Sequence, residues 1–127
     1  MKHLKTYKIF ESGLPSKEFL LDIQDIILEI EDMRLHIKKS VNPGRMWLEI
    51  VKNPRALTGE FEITEELYNT LVRIYEFSKQ FGYSVLFDVN MGADDYYHRI
   101  DIKDIERYIG ESAWFITITI TNIDGWQ

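Results

Sequence analysis

Residues 64–90 read TEELYNTLVRIYEFSKQFGYSVLFDVN, and two hydrophobic periods meet inside that stretch. Leu67, Leu71, Ile74 and Phe81 recur at helical spacing, whereas Tyr83, Val85, Phe87 and Val89 alternate with Ser84, Asp88 and Asn90 at strand spacing. The punctuation agrees with the periods. Thr64 is placed to cap a helix, Glu65 and Glu66 sit in its first turn, and Gly82 stands where a helix closes through the left-handed conformation. The segment therefore predicts a helix followed directly by a strand, each with one apolar face.

The same order recurs on the amino-terminal side. Ser16 reads as an N-cap and Glu18 as a first-turn acid, ahead of Phe19, Leu20, Ile23, Ile26, Ile27 and Ile30 on one stripe, with the helix expected to end near Met33. Two alternating runs follow, Leu35, Ile37 and Val41, then Met46, Leu48 and Ile50, joined by Asn42-Pro43-Gly44 as a hairpin. Asn53-Pro54-Arg55 ends the second run, and the chain up to Thr64 is less regular. On the carboxyl side, Met91-Gly92-Ala93-Asp94 predicts a turn into a strand from Tyr96 to Ile102, then a short helical turn from Asp104 to Ile109. The last element is a strand from Trp114 to Thr121, with Trp114, Ile116, Ile118 and Ile120 on one face and Phe115, Thr117, Thr119 and Thr121 on the other.

The predicted order is α-β-β-α-β-β-β, an α+β fold with two helices packed on one face of a mostly antiparallel sheet of about five strands. Two helix-then-hairpin units succeed one another, a pattern that would fit a weak internal duplication. Residues 1–15 form a basic leader, and residues 16–127 a single α+β domain. A length of 127 residues, 45% of them apolar, suits one core.

Composition removes several function classes. No cysteine is present, which excludes disulfides, thiolate metal sites and thiol nucleophiles and fits a reducing compartment. Charge interrupts the apolar runs long before the ~20 residues that span a bilayer, so no membrane partner is expected. A net charge of −6 argues against direct nucleic-acid binding and favours a basic protein partner. Phosphate-loop, dinucleotide, nucleophile-elbow and zincin motifs are missing, so no catalytic residue, cofactor or metal ligand is assigned and the chain reads as a non-enzyme.

Two stretches nevertheless concentrate ionisable groups. On the first helix Glu18, Asp22, Asp25, Glu29 and Asp32 recur every three or four residues, so five carboxylates share one face without an interleaved cation. Like charges at this spacing cost roughly 0.2–0.5 kcal/mol per pair, and the strip invites a counter-charge from outside the helix. Residues 94–101, DDYYHRID, place His98 close to Asp94 and Asp95, an acid/base pairing that could serve a small metal-dependent hydrolase. In a strand over residues 96–102, His98 would share a face with Tyr96 and Ile100. A polar turn followed by an amphipathic edge strand accounts for the same residues.

The leader is the remaining feature. Residues 1–12 hold Lys2, Lys5 and Lys8 against Glu11, a net of +2, which leaves −8 for the other 115 residues. Lys5-Thr6-Tyr7-Lys8-Ile9-Phe10-Glu11-Ser12 resembles the capsid-targeting sequence of the internal head proteins of T-even-type tailed phages. That resemblance implies cleavage by a prohead protease after the glutamate of an Ile-or-Leu, any residue, Glu triplet. Ile9-Phe10-Glu11 has that form and Ser12 supplies the small residue after the cut, whereas three residues, Lys2 to Leu4, precede the motif here. Ile63-Thr64-Glu65 and Ile74-Tyr75-Glu76 also match the triplet, and both are expected to be protected in or beside a helix.

The expected function is that of a small phage protein packaged in the virion head and released into the host cytoplasm, where its acidic strip blocks a basic host protein. The alternative is an unpackaged cytoplasmic inhibitor or immunity-type binding module that uses the same strip.

Overall fold

In the computed structural model, residues 17–53, 59–92 and 95–122 are described. The leader and Ser16 lie outside them. The elements run α1 (Lys17–Glu31), β1 (His36–Asn42), β2 (Arg45–Val51), β3 (Phe61–Glu62), α2 (Glu65–Gln80), β4 (Tyr83–Asn90), β5 (Tyr96–Ile100), α3 (Ile102–Ile105), a 3₁₀ turn at Glu106–Tyr108, β6 (Ser112–Ala113) and β7 (Phe115–Asn122). The fold is α+β, with a five-stranded antiparallel sheet in the order β1-β2-β7-β4-β5.

The final strand lies between the two hairpins. Along β7, Ile116, Ile118 and Ile120 are fully buried and face Ile50, Leu48 and Met46 of β2 on one side and Val89, Phe87 and Val85 of β4 on the other. These side chains form the sheet's inner face. The core closes where α1 and α2 meet the start of β4. Phe19 lies within 5.3 Å, centroid to centroid, of both Phe77 and Phe81 and 4.9 Å from Tyr83. Ile23, Ile26, Ile27 and Ile30 extend the contact along α1, and Leu67, Leu71 and Ile74 along α2. Burying a large aliphatic or aromatic side chain is worth ~1.5–3 kcal/mol. Helix burial of this extent outweighs the repulsion along the outer side of α1.

Local signals explain most boundaries. The Thr64 hydroxyl accepts the Leu67 N–H at 3.0 Å, capping α2 as expected, and Gly82 follows that helix at φ 79°. Pro43-Gly44 joins β1 and β2, with Gly44 at φ 78°, the residue pair favoured by a type II turn. The first hairpin then keeps unbroken register from His36↔Val51 to Asn42↔Arg45.

Several elements differ from the sequence expectation, among them the last strand, which runs from Phe115 to Asn122 and leaves Trp114 before it. α1 ends at Glu31 rather than near Met33, because Arg34 adopts φ 66° and its N–H turns back to the Glu31 carbonyl at 3.0 Å. β5 stops at Ile100 instead of Ile102, since a bulge between its pairings with Phe87 and Val89 places Arg99 at φ 55° and turns the chain away. The helical turn consequently starts earlier, at Ile102. The irregular stretch before Thr64 also contains β3, which pairs with β6 as a second, two-stranded sheet. Phe61, Ile63 and Ala113 are buried there, and the Ile63 N–H donates to the Glu111 carbonyl at 2.8 Å. Two-residue strands are too short to show a period, which is why the sequence does not announce them.

Candidate binding surface

The acidic strip is built by α1 and by Asp32, which directly follows its last residue. Phe19, Ile23, Ile26, Ile27 and Ile30 face inward, so the helical repeat of 3.6 residues turns Glu18, Asp22, Asp25 and Asp32 to solvent. Glu29, at the side nearest α2, is the member with an ion pair. Its carboxylate accepts a hydrogen bond from the Arg73 guanidinium at 2.6 Å, which holds its pKa below the ordinary carboxylate value. Among the described residues, Glu18, Asp22, Asp25 and Asp32 make no ion pair within 4.0 Å.

Two leucines flank this strip. Leu21 is 62% exposed and Leu28 49%, seven residues apart on the flank that also carries Gln24, whose amide oxygen accepts from Lys39 of β1 at 3.2 Å. The sequence reading missed them as surface features, although the helical repeat carries the signal: both fall outside the buried stripe and beside the carboxylates. The outer side of α1 is therefore an acidic ridge with an apolar flank.

Residues 95–101 are arranged differently from the expected acid/base pair. Asp94 lies outside the described residues, and Asp95 closes the turn through its backbone, its carbonyl accepting the Met91 N–H at 2.8 Å. His98 pairs across the strands with Asp88, Nδ1 to Oδ1 at 2.8 Å, and the same carboxylate oxygen accepts the Arg99 N–H at 2.8 Å. The bulge causes this exchange of partners. It also breaks the expected alternation: Ile100 stands opposite Phe87 on the inner face, whereas Tyr96 and His98 remain together on the outer face with ring centroids 6.1 Å apart. Tyr97 stacks on Tyr108 at 5.0 Å, and the hydrogen bond between them pushes the Tyr97 phenol up to about 12.

His98 is well exposed, and among the described residues no group of three or more His, Asp or Glu side chains is arranged to hold a metal. Those residues therefore lend no geometric support to the hydrolase reading. His36 stands in β1 opposite Val51, and Trp47 lies half-buried on the outer sheet face between Ser40 and Thr119.

The expected processing residues Ile9, Glu11 and Ser12 lie outside the described residues. The two competing triplets are anchored: Ile63 beside the small sheet and Ile74 inside α2 are both fully buried. No helix among the described residues is long and apolar enough to cross a membrane. Compared with protein-family models, curated proteins and solved structures, the chain matches none.

Proposed function

We propose that this chain acts by binding, and that the outer side of α1 docks on a basic surface of a partner protein and blocks it. The observation that carries the reading is the coincidence of Leu21 and Leu28, both exposed, with carboxylates at Glu18, Asp22, Asp25 and, just past the helix end, Asp32 that have no ion-pair partner among the described residues. Carboxylates steer a cationic partner and set orientation, while desolvated leucines supply the affinity that rim charges lack. The delivery route belongs to the same proposal and rests on the leader's resemblance to phage capsid-targeting sequences. A basic leader would dock on the head scaffold, cleavage after Glu11 would free the acidic domain, and the host cytoplasm would be its place of action.

Two experiments test the two halves. In lysate capture, Asp22→Lys with Asp25→Lys and, separately, Leu21→Ser with Leu28→Ser should each remove the captured partner while thermal unfolding remains cooperative. Undiminished capture by both variants would remove α1 from the proposal. Mass spectrometry of the protein from virions should find a chain beginning at Ser12. An intact Met1 start, or a chain missing from virions, would leave the unpackaged inhibitor as the surviving form.

A further inference from the structure

A cleft of about 330 Å³ opens at the edge of the main sheet where β5 leaves β4. The pairing of β4 with β5 begins at Phe87↔Ile100, so Ser84, Val85 and Leu86 face no strand on that side although they pair with β7 on the other. Tyr75 and Lys79 of α2 form one wall, and the segment from Arg99 to Lys103 forms the opposite one.

The charge of this cleft runs against that of the chain. In a protein of net charge −6, Lys79, Arg99 and Lys103 converge on it against one lining carboxylate, Asp101. None of the three cations makes an ion pair within 4.0 Å among the described residues. The Lys79 ammonium instead lies 6.0 Å from the centroid of the Tyr75 ring.

Arg99 is the second observation. Its φ of 55° is a conformation that L residues with a full side chain rarely adopt, and glycine or asparagine would fill it with less strain. The bulge and the Asp88 carboxylate, which accepts the Arg99 N–H, hold that conformation. Bulges beside functional sites re-aim side chains, and a strained non-glycine residue points from the outlier to a role. Here the residue so placed is an arginine that lines the cleft.

We propose that this cleft binds a small phosphorylated ligand of the diphosphate class. Arg99 would bind phosphate oxygens through its planar fork, Lys79 and Lys103 would act as point charges, and Tyr75 with Leu86 would contact the group that bears the phosphates. The volume lies near the lower limit of small-molecule sites, about 300 Å³, which suits such a ligand rather than a polymer. This inference is independent of the docking role of α1.

Thermal unfolding of the full chain with inorganic pyrophosphate, and separately with a nucleoside diphosphate, tests it against sodium chloride at matched ionic strength. A ligand that binds only the folded state must raise the melting temperature with its concentration. Arg99→Gly should raise the ligand-free melting temperature by relieving the backbone, yet weaken binding at least tenfold. Lys79→Met with Lys103→Met should weaken it comparably and decides the matter if the glycine variant fails to fold. Tighter binding of the nucleoside diphosphate than of pyrophosphate would assign Tyr75 and Leu86 to the group carrying the phosphates, and equal binding would assign the affinity to the cations; both support the site. No rise beyond matched salt, or wild-type affinity in these variants, overturns it.

Discussion

The two helix-and-hairpin units have the same order and opposite local logic. In the second, α2 carries a side-chain cap at Thr64, acids in its first turn, Lys79 in its last and Gly82 beyond its end, so each local choice favours the helix that forms. In the first, α1 has a run of like charges on its outer side, no basic residue in its last turn and an arginine rather than glycine at positive φ beyond its end. The hairpins reverse the ranking: β1 and β2 pair without interruption, whereas β5 is bulged and ends early. Each unit thus departs from local rules once, at α1 in the first and at β5 in the second. Core burial sustains α1, the Asp88 carboxylate holds the bulge in β5, and both departures coincide with the surfaces proposed for binding.

The largest effect is expected where the two units share their core. Phe19→Ala removes the ring that bridges α1, α2 and the start of β4, and should cost about 3–5 kcal/mol in urea unfolding. A loss below 1 kcal/mol would show that the aromatic cluster is dispensable. Next, Thr64→Ala should cost about 1 kcal/mol, because α2 depends on its local cap. An unchanged urea midpoint would place the stability of α2 in packing alone, as in α1.

Smaller still is Asp25→Lys. It turns like-charge neighbours at Asp22 and Glu29 into opposite-charge ones, reversing a cost of roughly 0.2–0.5 kcal/mol per pair, and should raise the melting temperature while weakening partner capture. Loss of stability instead would contradict the mutual repulsion along α1.

The smallest effect concerns the Glu29–Arg73 link between the helices. Because Arg73 lowers the Glu29 pKa in the folded state, the pair contributes stability above the ordinary value of 4.5, and that contribution disappears as pH falls through the lower folded value. The stability difference between the wild-type chain and Glu29→Gln should therefore be present at neutral pH and vanish once pH has fallen below the lowered folded-state value. A difference independent of pH would dissociate the link from ionisation. The pair is half-exposed, so salt should also reduce it.

How much was legible varies with the range of the interaction. Thr64 with Gly82 delimits α2, and the alternation of Tyr83 to Val89 marks β4, because caps and strand faces are written within a few neighbouring residues. The carboxylates of α1 were legible for the same reason, and its exposed leucines should have been. The partner of His98 was not: Asp94 and Asp95 are closer in sequence, but a bulge ten residues beyond Asp88 brings that carboxylate to the imidazole. β3 and β6 were equally hidden, since a two-residue strand is defined by its partner rather than by a period.

From residue order alone came the α+β class, the two amphipathic helices, the first hairpin and the division of charge between basic residues 1–12 and an acidic remainder, all set by neighbours within a turn or a strand. Tertiary structure decided that the last strand separates the hairpins, because Ile116, Ile118 and Ile120 find apolar partners on both sides only in the middle of the sheet. It also decided that Lys79, Arg99 and Lys103 meet around one cleft. Residues 79 and 103 are joined by burial of the elements between them, a relation that no local period encodes.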